Sequence, residues 1–157
     1  MTQGTAGSIK FVEVLAQSGA AVAAPADTAE NTLFTYTLPG GTMGPNDLIE
    51  ITPRVTETGS GNSKTWKLYF GTSLILNGAQ TTNTHLFTTF KVANRNSLAS
   101  QVASSNTWSQ FGVSTTAPQT FTIDTSADVV IKLTATKASA GETVQLEDYS
   151  ILLLRAV

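Results

Sequence analysis

The chain has one histidine, His85, and no cysteine. Nucleophilic catalysis of the Ser-His-acid or Cys-His type needs a histidine with partners close in space, and a lone histidine in a threonine-rich stretch is a thin basis for it. Transition-metal sites built on histidine generally use two or three imidazoles. We therefore interpret His85 as a sheet-surface or interface residue, and we expect no catalytic residue, no metal site and no cofactor.

The carboxylates are few and scattered along the sequence. A glycosidase needs two carboxylates that face each other across a cleft. Glu147 and Asp148 are neighbours in an extended segment, so their side chains are expected on opposite faces of a strand. Asp124 and Asp128 flank a predicted turn and would suit a structural calcium ion, but no dense acidic loop surrounds them. The protein is therefore not expected to be an enzyme, and a glycan hydrolase is the least favoured alternative.

The two tryptophans lie in different contexts. Trp66 alternates with Leu68 and Phe70, which predicts a core position. Trp108 lies in the polar stretch SSNTWSQFG, where an exposed indole would stack on a sugar or anchor a protein contact. The alternative is a loop aromatic that folds back over an open end of the domain. Trp108 is thus a candidate surface anchor.

Composition limits the class of protein and its partners. A chain of 157 residues can bury one self-sufficient core. Only 13% of the residues are charged, about half the usual share. The net charge of −2 and the pI of about 5.2 give no basic surface for nucleic acid or an anionic membrane, so neither is expected as a partner.

The elements that must position these residues are predicted to be strands. The chain has 26 threonines and 14 serines, and the β-branched threonine fits a pleated surface better than a helix. Short alternating segments such as Phe34–Leu38 recur between turn signals, and Asn77–Gly78 is predicted to be one such tight turn. Most strands alternate between apolar and polar residues, which is typical of antiparallel sheets. The fold class is an all-β antiparallel β-sandwich, jelly-roll-like, with an extended N-terminal arm.

The first thirty residues differ in composition from the rest of the chain. Residues 1–30 are interpreted as an arm and linker, and residues 31–157 as the sandwich domain. Residues 8–16 read as one possible strand, and Pro25 lies in the small-residue stretch that follows. We expect this strand to add to the sheet of a neighbouring subunit or shell protein. The expected interface residues of the arm are Ile9, Phe11, Val12 and Val14.

Residues 31–155 resemble a structural module of tailed-bacteriophage virions. The resemblance begins with a turn of the form TLPGG…GPN at Leu38–Asn46, the extended DLIEITPRV segment that follows, and NSKTWKL leading into Phe70–Gly71. It continues with the segments ANRNS at 93–97, SQV at 100–102, GETV at 141–144 and LEDYS at 146–150. The pieces are short, but their order and spacing agree.

The resemblance implies a jelly-roll or related β-sandwich domain that trimerises in virions and has no catalytic motif. Such modules occur as capsid decoration (cement) proteins, collar fibres and tail-fibre tips. Because only about thirty residues precede the module here, a capsid decoration protein is favoured over a stalked fibre. The implied partners are two further copies of the chain and the major capsid protein or other virion proteins, in a particle assembled in the host cytoplasm.

The alternative that the resemblance leaves open is a tail-fibre, collar or spike component that binds a host-surface glycan. In that case Trp108, Asn106 and Tyr69, together with the polar loops, would contact the sugar.

Overall fold

The computed structural model describes residues 11–104 and 116–156, which contain strands and turns but no helix. Twelve strands occur in these residues. They are β1 Val12–Ser18, β2 Val22–Ala23, β3 Asn31–Leu38, β4 Leu48–Glu57, β5 Lys64–Phe70, β6 Ser73–Gln80, β7 His85–Phe87, β8 Phe90–Asn94, β9 Gln101–Ala103, β10 Gln119–Phe121, β11 Val129–Lys137 and β12 Val144–Leu154.

The strands form two antiparallel sheets. In the larger sheet the order is β1-β12-β4-β8-β9-β10, with β2 paired to β12 and β7 paired to β4. In the smaller sheet the order is β3-β11-β5-β6. Every strand pairing in the described residues is antiparallel. The predicted all-β antiparallel sandwich is confirmed.

The core lies between the two sheets. One continuous cluster of buried apolar side chains draws Ile49 and Ile51 from β4 of the larger sheet, and Ile131 and Leu133 from β11 of the smaller sheet. These residues alternate with more exposed neighbours along their strands. Burial of one face of each sheet against the other is the main stabilising contribution in such a domain.

Strand β5 shows how alternation in the sequence becomes a buried face. Trp66, Leu68 and Phe70 are fully buried, as their spacing predicts. A two-residue turn that begins at Gly71 connects β5 to β6, and its φ of +60° is one that glycine adopts without strain. The turn brings Phe70 directly opposite Ser73 and so sets the register of the hairpin.

The turn predicted at Asn77–Gly78 is wrong, because both residues lie inside β6. Gly78 is paired with Trp66, and Asn77 is paired with Lys67. The hairpin already turns at Gly71, so the ladder continues through this dipeptide to Gln80. An Asn-Gly pair favours a turn only where the chain has no stronger partner strand to continue along.

A β-bulge interrupts the pairing of β12 with β4 at Glu147, where the register steps from Leu146 to Asp148. The Thr56 hydroxyl donates to Glu147, and Asp148 is opposite Arg54, on the same outer face as Thr56. The expectation that Glu147 and Asp148 point to opposite faces is therefore wrong, since the extra residue of a bulge breaks the strict alternation of the strand.

Residues that the sequence assigns to the arm contribute two strands to the larger sheet. β1 pairs with Leu154 to Tyr149 of β12, and β2 pairs with Gln145 and Leu146 of the same strand. β1 has a bulge of its own between Val14 and Ala16. In the described part of the chain β1 is the edge strand beside β12.

Candidate interaction surface on the larger sheet

The outer face of the larger sheet carries a row of apolar side chains that crosses five neighbouring strands. The strand register places each member directly opposite the next. The members of this apolar row are Val12 of β1, Leu154 of β12, Leu48 of β4, Ala93 of β8 and Val102 of β9. Residues directly opposite one another share a face and touch across the strands, so the row forms a continuous stripe about 19 Å wide.

A second pair extends the apolar row along the strands. Val14 is opposite Leu152, two residues beyond the first level. Val12 and Val14 are 54% and 56% exposed, whereas Leu152 and Leu48 are half-buried. Exposed valines that adjoin half-buried leucines form a contiguous patch rather than scattered single residues, and such patches mark interaction sites.

The far side of the row borders a shallow groove. Leu48, Ala93, Val102 and Pro118 line it, and its volume is about 290 Å³. Lys91 also lines the groove, and its Nζ is 3.2 Å from a Glu50 carboxylate oxygen. This ion pair lies beside the five residues of the apolar row.

The residues predicted as the interface of the arm lie at this surface, as far as the structure describes them. Phe11 is 47% exposed and precedes β1 directly, and Val12 and Val14 belong to the patch. Along one edge β1 pairs with β12 of its own chain. The pairing of β1 with a strand of a neighbouring chain therefore stays a prediction for its other edge. Ile9 lies outside the described residues.

The other half of the same outer face is polar. Here the Arg54 Nε is 3.5 Å from the Asp148 carboxylate, and the Arg54 guanidinium lies 5.6 Å from the centre of the Phe87 ring. Phe87 is 54% exposed. A cleft of about 410 Å³ opens beside these side chains, and Gln17 and Ser150 also line it.

The outer face of the smaller sheet holds a network of hydrogen bonds around Glu30. Lys67 Nζ donates to this carboxylate at 2.6 Å, and the Tyr69 hydroxyl and Thr134 hydroxyl each donate at 2.8 Å. The hydrogen bond from Lys67 is the largest cause that lowers the pKa of Glu30 to about 2. Lys132 Nζ lies 4.6 Å from the centre of the Tyr69 ring. The Tyr69 hydroxyl therefore already has a partner in this network, and Tyr69 lies on the smaller sheet, whereas the apolar row lies on the larger one.

One buried carboxylate at an end of the sandwich was not predicted from the sequence. Glu57 ends β4 and is 6% exposed, and the Trp66 indole N–H donates to its Oε2 at 2.7 Å. Burial raises the pKa of this carboxyl. Lys64 is fully buried nearby and donates to the carbonyls of Asn62 and Thr81 at 2.9 and 2.6 Å. Within the described residues this polar cluster is enclosed by the sheets, which favours a structural role.

The remaining predicted positions are separated from one another. His85 is exposed in β7, opposite Thr56, as a sheet-surface residue should be. Asp128 accepts the Gly40 backbone N–H at 2.8 Å, and Asp124 accepts from the Ser126 hydroxyl at 2.6 Å.

Trp108 and Asn106 lie outside the described residues. In residues 11–104 and 116–156 no group of three or more metal-ligating side chains comes together, and no helix is long and apolar enough to cross a membrane.

Two viral structures are among the solved structures to which the chain is similar. One is the CBM2 module of the evolved Dit of Lactobacillus casei BL23 phage J-1, at 8% identity and a TM-score of 0.35, covering 78% of this chain and 70% of that chain. The other is a chain of infectious bursal disease virus, Gx strain, at 13% identity and a TM-score of 0.26, covering 92% of this chain and 40% of that chain. No protein-family model and no curated protein matches. Both likenesses are distant, and neither assigns a function to this chain.

Proposed function

We propose that this chain is a structural protein of a tailed-bacteriophage virion, a capsid decoration protein that acts as a homotrimer and has no enzymatic activity. The observation that carries the proposal is the apolar row on the outer face of the larger sheet, which nothing covers in the described residues. The sequence resemblance over residues 31–155 supplies the class of assembly. The protein would join the particle after the shell has formed in the host cytoplasm.

The partner on the apolar row is a second copy of this chain. The row reaches β1, the edge strand, and its two most exposed members, Val12 and Val14, lie on that edge. An interface in which this edge of one copy meets the row of the next is heterologous and can close into a ring, and the resemblance supplies the threefold symmetry. Aliphatic side chains in such an interface lose contact with water, which stabilises the assembly.

The size of the row indicates a further contact. The five residues of the row and the second pair, Val14 and Leu152, cover roughly 200 Å², well below the ~800 Å² that each partner of a standard interface buries. The major capsid protein would provide the remaining contact, with the β1 edge and the N-terminal residues adding a strand to the shell. The apolar character of the row and the net charge of −2 predict that binding depends only weakly on salt.

Two measurements on the purified chain test the proposal. Light scattering after size exclusion is expected to give three times the 16.5 kDa chain mass. Co-sedimentation with expanded, DNA-free heads of the phage that encodes the chain is expected to saturate and to persist at high salt. A monomer at every concentration that fails to sediment with the heads would exclude the proposal. A trimer that does not bind heads would favour the fibre or spike position instead.

A further inference from the structure

The polar half of the larger sheet's outer face contains a cleft whose chemistry differs from that of the apolar row. An exposed aromatic ring, Phe87, lies at the cleft beside Arg54, Asp148 and Gln17. The volume of about 410 Å³ lies within the ~300–1,000 Å³ typical of small-molecule sites. The cleft therefore has room for one or two pyranose rings and presents both an apolar surface and hydrogen-bonding groups.

The ring of Phe87 contacts Arg54 and remains more than half exposed. The Arg54 guanidinium lies 5.6 Å from the centre of the ring, and the Arg54 Nε is 3.5 Å from the Asp148 carboxylate. The cation–π contact favours this arrangement without hiding the aromatic surface, since Phe87 remains 54% exposed. An exposed aromatic face suits a ligand that has a flat face of C–H bonds.

The polar groups of the cleft match the edge of such a ligand. Gln17 and Ser150 have no side-chain hydrogen-bond partner in the part of the chain that the structure describes. Their amide and hydroxyl can both donate and accept, as sugar hydroxyls also do. Arg54 donates and Asp148 accepts, so the cleft offers both kinds of hydrogen bond within reach of one aromatic ring.

The charge of the cleft selects a neutral ligand over an acidic one. The positive charge of Arg54 is matched by Asp148, so the lining of the cleft has no net charge, and Glu147, whose carboxylate accepts from the Thr56 hydroxyl, lies outside this lining. An anionic sugar such as a uronic or sialic acid would find no unpaired cation there, whereas a neutral hexose needs none.

We propose that this cleft is a binding site for neutral oligosaccharides, with Phe87 as the stacking surface and Arg54, Asp148 and Gln17 as hydrogen-bonding groups. The stacking surface of the site is separate from the apolar row, because Arg54 lies six residues along β4 from Leu48, a distance of about 20 Å, although Ser150 at the near edge of the cleft is two residues from Leu152. Sugar binding and assembly through the row can therefore occur together, and each can fail without the other.

The test uses the full chain and defined sugars. Isothermal titration and saturation-transfer NMR with neutral gluco-, galacto-, manno- and xylo-hexaoses are expected to show millimolar to micromolar binding of at least one. Matched oligosaccharides that carry uronic or sialic acid should bind at least tenfold more weakly. Phe87→Ala should lower the affinity for the bound sugar at least tenfold, and Asp148→Asn should lower that affinity severalfold.

Phe11→Ala is the matched control, because it also removes an exposed phenylalanine, at the residue that precedes β1, but lies outside the cleft. It is expected to bind the sugar as the unmodified protein does. The proposal fails if none of these neutral sugars binds, if the acidic sugars bind better, or if Phe87→Ala binds as tightly as Phe11→Ala. If circular dichroism shows that Phe87→Ala is unfolded, Gln17→Ala is used in its place, because the Gln17 side chain is exposed. All these outcomes are independent of the mass and head-binding measurements for assembly.

Discussion

The outer face of the smaller sheet is covered by polar side chains that bond to one another, whereas the outer face of the larger sheet carries apolar side chains with no cover in the described residues. On the smaller sheet, Glu30 accepts from Lys67, Tyr69 and Thr134. On the larger sheet, Val12 and Val14 remain more than half exposed. The polar groups of the first face are satisfied within the chain, whereas the second face is the one that we propose a partner covers. The contrast identifies the side of the sandwich on which assembly is expected.

The largest effect is expected from placing charge in the apolar row. The double variant Val12→Glu, Val14→Glu should lower the mass from three chains to one, because two carboxylates would have to leave water on association. Light scattering after size exclusion measures the mass. The control is Val130→Glu, which changes an exposed valine on the outer face of the smaller sheet, opposite Thr37. It should remain trimeric, and an equal loss in both proteins would remove the distinction between the faces.

A smaller effect should follow from making the row resemble the other face. Leu152→Thr replaces a half-buried leucine beside Val14 with the residue type that is common on the smaller sheet. Loss of about 1 kcal/mol of apolar burial would weaken each interface of the trimer roughly fivefold. Sedimentation equilibrium measures this change, with Val130→Thr as the matched control. An unchanged association constant for Leu152→Thr would place the interface elsewhere.

On the smaller sheet the expected effect concerns folding and depends on pH. The pKa of Glu30 is lowered from 4.5 to about 2, mainly by the hydrogen bond from Lys67. This carboxylate therefore stabilises the fold above pH 4.5, and the contribution is lost as the pH falls from 4.5 towards 2. Because the side chain is 34% exposed, solvent reduces its contribution to about 1 kcal/mol.

Urea denaturation of Glu30→Gln tests this contribution. The variant should be less stable than the unmodified protein at pH 7, and the difference should shrink to near zero at pH 2. A difference that stays constant over this range would show that the carboxylate charge is not responsible. The mass of the assembly should not change at neutral pH.

The smallest effect is expected from the ion pair at the border of the row. Glu50→Gln removes a partner of Lys91, whose side chain is 55% exposed, and exposed pairs contribute about 0.5 kcal/mol or less. Trimerisation should therefore change by less than about threefold. A larger change, or a steep salt dependence in the unmodified protein, would show that charge and not apolar burial drives the contact.

Local patterns in the sequence predict much of the fold. Alternation alone predicts the buried face of β5, with Trp66, Leu68 and Phe70, because side chains in a strand change sides at every residue. The antiparallel sandwich follows from the same pattern repeated along the chain. These features depend on neighbouring residues, which a single sequence shows directly.

The candidate surface could not be predicted in the same way. Its apolar row joins residues as distant as Val12 and Leu154, which only the long-range pairing of β1 with β12 brings together. No glycine or proline marks the bulge at Glu147, so the sequence predicts Glu147 and Asp148 on opposite faces. The Asn77–Gly78 prediction failed for a related reason, since the pairing of β6 with β5 overrides a local turn preference.

The bulge at Glu147 has a consequence for sequence change in β12. The strand pairs Leu146 with Val55 and Asp148 with Arg54, so Glu147 is one residue more than the ladder needs. Deleting it would leave Val144 and Leu146 inside and Asp148 outside, whereas deleting a residue elsewhere in the strand would turn one part of it inside out. A central strand of this sandwich therefore tolerates the loss of one residue at a single position, and the residue lost there is a surface carboxylate.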